Sequence, residues 1–149
     1  MPAGDGQLAA RLLGVQRVAY AVEATLIRDD RIPALHESLQ ELRQASLLWL
    51  AAFDGDDLCG ALAWNEDRNQ LDIDRLVVAP RSQRRGVGMA LVLEVLHRAG
   101  TRITVVSTGR DNVPAHCLYQ RLGFSRIEDQ EAIPGLWVTC HQRIPESDR

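Results

Sequence analysis

The stretch from Leu76 to Gly100, LVVAPRSQRRGVGMALVLEVLHRAG, constrains this chain more than any other. Leu76, Val77 and Val78 form a short apolar, mostly β-branched run of the kind a buried strand shows. Ala79 to Arg85 is a polar turn with Pro80 and three arginines, Arg81, Arg84 and Arg85. From Gly86 onward, Val87, Leu91, Val92, Val95 and Leu96 recur at helical spacing until Gly100 supplies the stop. A strand feeding a glycine-containing turn that opens a helix is physically an anion site. First-turn amides have no intrahelical acceptor, and the macrodipole puts about half a positive charge there. Gly86 and Gly88 carry no Cβ, so a phosphate can reach those amides, and Arg84 and Arg85 add charge. The stretch predicts a phosphorylated ligand held by backbone N–H groups from Arg84 to Met89.

What the motif lacks narrows the ligand. A P-loop needs a lysine after its glycines, and the whole chain contains none. A dinucleotide fingerprint needs a third glycine where Leu91 stands. The run Gln83-Arg84-Arg85-Gly86-Val87-Gly88 behind Val78-x-Pro80 instead resembles the pyrophosphate-binding motif of the GNAT superfamily of N-acetyltransferases. A second stretch, Asn112-Val-Pro-Ala115-His-Cys-Leu118-Tyr119-Gln-Arg-Leu-Gly123-Phe124, is similar to that superfamily's later signature, N-x-x-A-x-x-L-Y-x-x-x-G-F, at every marked position. Two signatures in the correct order, separated by a strand, are hard to obtain by chance. The resemblance covers about Leu47 to Arg143 and thins over the first helices.

The order of elements agrees with it. Leu8, Leu12, Val15, Ala19, Val22 and Leu26 form the inward stripe of one long helix, with Gln16, Tyr20, Glu23 and Ile27 on an adjacent stripe. Pro33 suits the first position of a second helix, Pro33 to Ala45. Leu47–Phe53, Leu58–Asn65 and Gln70–Val78 read as an antiparallel meander. After the central helix, Ile103–Ser107 is a buried strand, parallel to its predecessor through a right-handed crossover. A short helix from Asn112 to Gly123 and two final strands, Phe124–Asp129 and Leu136–Arg143 with a longer connection, complete an α/β fold. The expectation is a single domain over residues 1–149: a mixed, mostly antiparallel sheet flanked by helices. The family's usual first strand is expected to be missing, since only six residues precede Gln7.

The resemblance implies a donor, acetyl-coenzyme A, and a site. Val77, Val78, Gln83, Arg84, Arg85, Gly86, Val87, Gly88, Met89, Asn112 and Tyr119 would bind the cofactor, with a backbone N–H near Val78 polarising the thioester carbonyl. Tyr119 occupies the family position of the general acid that protonates the leaving thiolate; it also shares a helix face with Ala115, Leu118 and Leu122, as a core residue would. Asn112 can be an N-cap as well as a cofactor contact. Asp72 and Asp74 alternate with Leu71 and Ile73 and so share one face of a central strand, where acids are unusual. Either could accept the amine proton; the alternative is a salt bridge with Arg75.

Bulk properties exclude several classes. Seventeen basic against twenty acidic residues give −3, which does not suggest a nucleic-acid binder. No apolar run approaches a membrane span, and the N-terminus lacks a signal pattern, so a cytoplasmic protein is expected. Cys59, Cys117 and Cys140 have no metal-like spacing and read as reduced core thiols; no metal is expected. His97 and His116 read as surface or capping residues. The acceptor is a small-molecule amine, or a peptide amine at a protein N-terminus or lysine, with Tyr20, Glu23, Glu37, Trp64 and Trp137 as candidate contacts. A homodimer is compatible with the resemblance. A non-catalytic acyl-coenzyme A sensor is the rival from another class.

Overall fold

The computed structural model describes residues 6–83 and 85–145, the side chain of Ala34 apart. Helix α1 (Gly6–Ile27) comes first, then a 3-10 turn (Pro33–His36) and the short helix α2 (Leu39–Gln44). Strands β1 (Leu48–Asp54), β2 (Asp57–Glu66) and β3 (Gln70–Val78) precede α3 (Val87–Ala99). Strand β4 (Ile103–Gly109), helix α4 (Val113–Arg121), and strands β5 (Ser125–Ile133) and β6 (Leu136–Arg143) follow. The six strands form one sheet in the order β1-β2-β3-β4-β6-β5. Only β3 and β4 run parallel; the other neighbours are antiparallel. The described chain starts in a helix, as expected; whatever Met1 to Asp5 form lies outside the described residues.

Alternation along β2 feeds two separate cores. Leu62 and Trp64 face α3 and α4 and pack with Leu91, Val92, Val95 and Phe124. Ala61 and Ala63 face α1 and α2 and pack with Ala9, Leu12, Leu42 and Trp49. The small residues on the second face let α1 lie close to the sheet. Each Leu or Val removed from water in these cores contributes about 1.5–3 kcal/mol.

Three expectations need correction. The segment Pro33–Ala45 is not one helix: a 3-10 turn ends at His36, and α2 starts afresh at Ser38. Ser38 Oγ accepts from the Glu41 N–H while the Glu41 carboxylate accepts from the Ser38 N–H, a capping box that nucleates a new helix and breaks the old one. The last two strands are joined by a tight turn at Pro134-Gly135 instead of a longer connection, with Gly135 at φ +83°. Among the cysteines only Cys59 is buried; Cys117 is exposed and Cys140 half-buried. Cys117 lies on the outward side of α4, whose inward positions are His116 and Tyr119.

A bulge in β3 matters most for function. Trp64 pairs with Ile73 but Ala63 pairs with Arg75, so Asp74 is an extra residue. Before it, Leu71 and Ile73 face the α3 core; after it, Leu76 takes that face and Val77 the α1 face. A bulge re-aims side chains and twists the strand. Beyond Ile73 the pairing of β3 with β4 stops: Gln70–Ile73 match Ile103–Val106, and the strands then part. A wedge opens in the middle of the sheet.

Candidate active site

Two cavities fill that wedge. One, of about 630 Å³, runs over the start of α3 and is walled by Val78, Gln83, Gly86, Val87, Gly88, Met89, Leu118 and Arg121. The other, of about 430 Å³, lies under the segment joining α1 to α2 and is walled by Glu37, Glu41, Asp74, Arg75, Ser107 and Tyr119 among others. Tyr20, Glu23, Leu76, Asn112 and Ala115 border both. The two cavities therefore adjoin at these residues, beside the gap between β3 and β4.

The apolar stripe of α1 explains half of one wall. Leu12 is buried against the sheet, but Val22 and Leu26, further along the same stripe, are 37% and 45% exposed. They are not packed under protein; they wall the larger cavity together with Ala19. The adjacent stripe, Tyr20, Glu23 and Ile27, walls the smaller one. One helix thus lines both cavities, with Tyr20 and Glu23 where they adjoin.

The start of α3 fits a diphosphate. Gly86 is its N-cap, at φ +79°, and no side chain caps the helix. The first intrahelical bond runs from the Ala90 N–H to the Gly86 carbonyl at 2.9 Å, leaving the amides of Val87, Gly88 and Met89 facing the cavity without an intrahelical acceptor. Uncapped first-turn amides at a groove are the donor set that a pyrophosphate takes. Arg85 does not join them: its guanidinium reaches Asp54 at 3.4 Å, with both side chains largely exposed. Arg84 lies outside the described residues. Arg121, which carries no signal in the sequence motifs, is a cation on this groove's wall.

Tyr119 is 3% exposed, its ring edge-on to Phe124 at 5.2 Å. Burial, with the Glu23 charge second, raises its hydroxyl well above the usual phenol range. Tyr20 is raised too, by burial and then Glu23. Both phenols therefore hold their protons and act as donors. Glu23 Oε1 accepts from the Gly109 N–H and the Thr108 hydroxyl, each at 3.4 Å. Asn112 caps α4 by accepting from the Ala115 N–H at 3.3 Å, and it borders both cavities.

The two aspartates part company. Asp74 borders the smaller cavity and accepts from Arg75 Nε at 2.6 Å. Asp72 borders neither cavity. Partial burial, then repulsion from Asp74, raises its pKa above the ordinary carboxylate value. A raised carboxylate pKa means the folded state holds the proton more tightly, so stability falls as pH rises through that window. Asp72→Asn should raise Tm at pH 7 and lose that advantage as the pH drops into the acid range. Equal Tm values at both pH extremes would mean the charge costs nothing. Of the other candidates, Trp64 is core at 2% exposure and Trp137 stacks under Arg110 at 5.0 Å, away from both cavities.

Behind Tyr119 stands a buried histidine pair, which corrects the reading of His116 as a surface residue. His116 Nε2 lies 2.7 Å from the Arg110 carbonyl, so it must carry the proton and donate. His116 Nδ1 then accepts from His141 Nε2 at 3.0 Å, which leaves His141 Nδ1 bare and buried without a partner among the described residues. Burial, then His116 and Arg126, push His141 down to about 4. With an ordinary value near 6.5, its protonation favours the unfolded chain. Stability is full above about pH 6.5 and is lost progressively as pH drops from there through about 4. His141→Gln, whose amide can still donate to His116, should flatten the fall in Tm between pH 6.5 and 4. An unchanged slope would assign the acid sensitivity elsewhere.

Comparison with known proteins bears on this geometry. The family described as "Acetyltransferase (GNAT) family" matches residues 16–124. The UPF0157 protein YqkA of Bacillus subtilis is 31% identical over 143 residues, 95% of this chain and 42% of that protein. A mycothiol acetyltransferase of Mycobacteroides abscessus is 38% identical over 108 residues, 68% of this chain and 36% of that one. The chain thus spans about two fifths of the length of these curated relatives. Among solved structures, the paia N-acetyltransferase of Thermoplasma acidophilum in complex with coenzyme A superposes with a TM-score of 0.75 at 18% identity, covering 95% of each chain.

Proposed function

Because the chain belongs to the acetyltransferase (GNAT) family, we propose that it moves an acetyl group from acetyl-coenzyme A directly to a primary amine, with a small molecule as acceptor. The carrying observation is that two cavities adjoin beside the β3–β4 gap, with Tyr20, Glu23, Leu76, Asn112 and Ala115 in the wall of both. The larger cavity suits the cofactor, because the uncapped amides of Val87, Gly88 and Met89 face it. The smaller is left for the amine.

Bound acetyl-coenzyme A supplies an activated acyl group on a thiol leaving group. The chain's residues position and polarise. Beyond Ile73 the β4-facing edge of β3 is unpaired, so its backbone near Val78 is free to donate to the thioester oxygen and to hold the extended arm of the donor. Glu23, at the junction and hydrogen-bonded through one oxygen, takes the proton that the attacking ammonium must lose. Asp74 stands on the same cavity wall and draws cations inward; Asp72, outside both cavities, has no direct path to the amine. As nitrogen bonds to the carbonyl carbon and the carbon–sulfur bond breaks, Tyr119 donates to the departing sulfur. Its high pKa suits that task, since a thiolate in the same dry gap is also more basic than in water.

A route with both substrates bound at once predicts intersecting lines when initial rates are measured against acetyl-coenzyme A at several amine concentrations. Parallel lines, with an acetylated form of the chain found by intact mass, would replace direct attack by a covalent intermediate.

A further inference from the structure

We propose that His141, held in place by His116, is a positioning residue for Tyr119: its ring fixes where the phenol hydroxyl stands in the gap. The inference rests on the acetyl-transfer reading and adds two residues at positions the sequence motifs do not mark. A donor to the departing sulfur must stand in one place, yet nothing in the described protein hydrogen-bonds the Tyr119 hydroxyl. Its orientation therefore comes from the ring. Two aromatic neighbours hold that ring, Phe124 edge-on at 5.2 Å and His141 tilted at 5.6 Å. Phe124 follows the end of α4, and its N–H donates to the Tyr119 carbonyl at 3.0 Å, so it travels with that helix. His141 belongs to β6 and ties the phenol to the sheet.

His141 is itself fixed by a closed circuit of hydrogen bonds. Its Nε2 donates to His116 Nδ1 at 3.0 Å, and His116 Nε2 donates to the Arg110 carbonyl at 2.7 Å. The Arg110 N–H then donates to the Trp137 carbonyl, back on β6, at 3.0 Å. The circuit thus leaves the sheet, crosses the start of α4 and returns to the same strand. His116 precedes Tyr119 by three residues, so both project from one face of α4. A helix position set at His116 is therefore set at Tyr119. An apolar side chain would fill the place of His141 without stranding Nδ1, a buried nitrogen that has no partner among the described residues. What the imidazole adds is a ring face for Tyr119 and a donor for His116 at once. Burial, then His116 and Arg126, keep it uncharged at neutral pH, so it acts by placement and not by its field.

The test is a double-mutant cycle between His141 and Tyr119. It is read in kcat with saturating acetyl-coenzyme A and either 1-aminobutane or 1,4-diaminobutane, whichever turns over faster. His141→Gln keeps a donor for His116 and loses the ring; His141→Phe keeps the ring and loses the donor. Each should lower kcat about tenfold or more, the cost of a slightly displaced catalytic group, and hardly move KM for acetyl-coenzyme A. In Tyr119→Phe neither should lower kcat further, because the hydroxyl being placed is gone. Equal losses in both backgrounds, or no loss in either, overturn the positioning role and leave acetyl transfer standing. Should neither amine be acetylated, nuclear magnetic resonance of ring-labelled tyrosine decides. The chain has two tyrosines, Tyr20 and Tyr119, and Tyr119→Phe tells their signals apart. Relaxation dispersion of the Tyr119 ring that is absent in the wild type and present in His116→Ala upholds the role. A ring that behaves alike in both ends it.

Discussion

Replacing Tyr119 with phenylalanine should slow turnover by roughly 10²–10⁴-fold, the span for losing a positioned acid. The fold should survive. The tyrosine ring is packed edge-on to Phe124 and tilted against His141 with centroids 5.6 Å apart, and phenylalanine keeps both contacts. Its hydroxyl makes no hydrogen bond to the described protein, so removing it strands no buried partner. Affinity for acetyl-coenzyme A should hardly move, because the groove that receives it is formed by α3, α1 and Leu118, and Tyr119 does not wall it. The loss should therefore appear in kcat. Full activity of Tyr119→Phe at saturating substrates would make the residue core alone and pass the proton donor's role to Tyr20 or water.

The second large effect concerns Gly88. A Cβ built there would lie 3.6 Å from Leu118 Cδ2 and Val78 Cγ2 and 3.8 Å from Leu76 Cδ2, all ordinary contacts. The first carbon of a side chain is therefore tolerated, and the cost begins with the atoms beyond it. An aspartate at this second helical position is favourable to the helix itself, since an acid in the first turn complements the macrodipole. Gly88→Asp should consequently fold as well as the wild type. Yet its carboxylate would take the amides meant for the diphosphate and repel the ligand's charge. At about 4 kcal/mol for two unit charges 4 Å apart near a protein surface, affinity for coenzyme A should fall by about 10²-fold or more. Gly88→Ala adds bulk without charge and should fall between the two. Wild-type affinity in folded Gly88→Asp would move the diphosphate away from α3.

Much of this was legible in the chain because the motifs encode backbone geometry. Gly86 and Gly88 after a strand announce an uncapped helix start, and Asn112 announces the cap of α4. The order of elements along the chain came from turn residues and period. Four features were not legible, for physical reasons. The bulge at Asp74 leaves the buried–exposed alternation of β3 intact in appearance while exchanging its faces, so the sequence pattern treats Asp72 and Asp74 alike although only Asp74 meets a cavity. The outer half of the α1 stripe is apolar because it walls a groove, and periodicity cannot tell a groove from a core. The pairing of His116 with His141 joins residues 25 apart through the β4–β6 ladder, beyond the reach of local spacing. Arg85 turned to Asp54 because the β1–β2 turn comes back over the phosphate loop, a contact that no helical or strand period contains. The capping box at Ser38-x-x-Glu41 was a readable signal, and it would have located both the break before α2 and the acid at the cavity rim.

The central claim is that acetyl passes from coenzyme A to an amine within the gap between β3 and β4. The direct measurement mixes the purified chain with acetyl-coenzyme A and a panel of amines that includes diamines and triamines, following free thiol and the mass of each amine together. The account predicts thiol release that depends on the amine, with one acetyl group gained by the amine for each thiol freed. Tight binding of acetyl-coenzyme A with no amine in the panel gaining an acetyl group would contradict it and leave an acyl-coenzyme A sensor in its place.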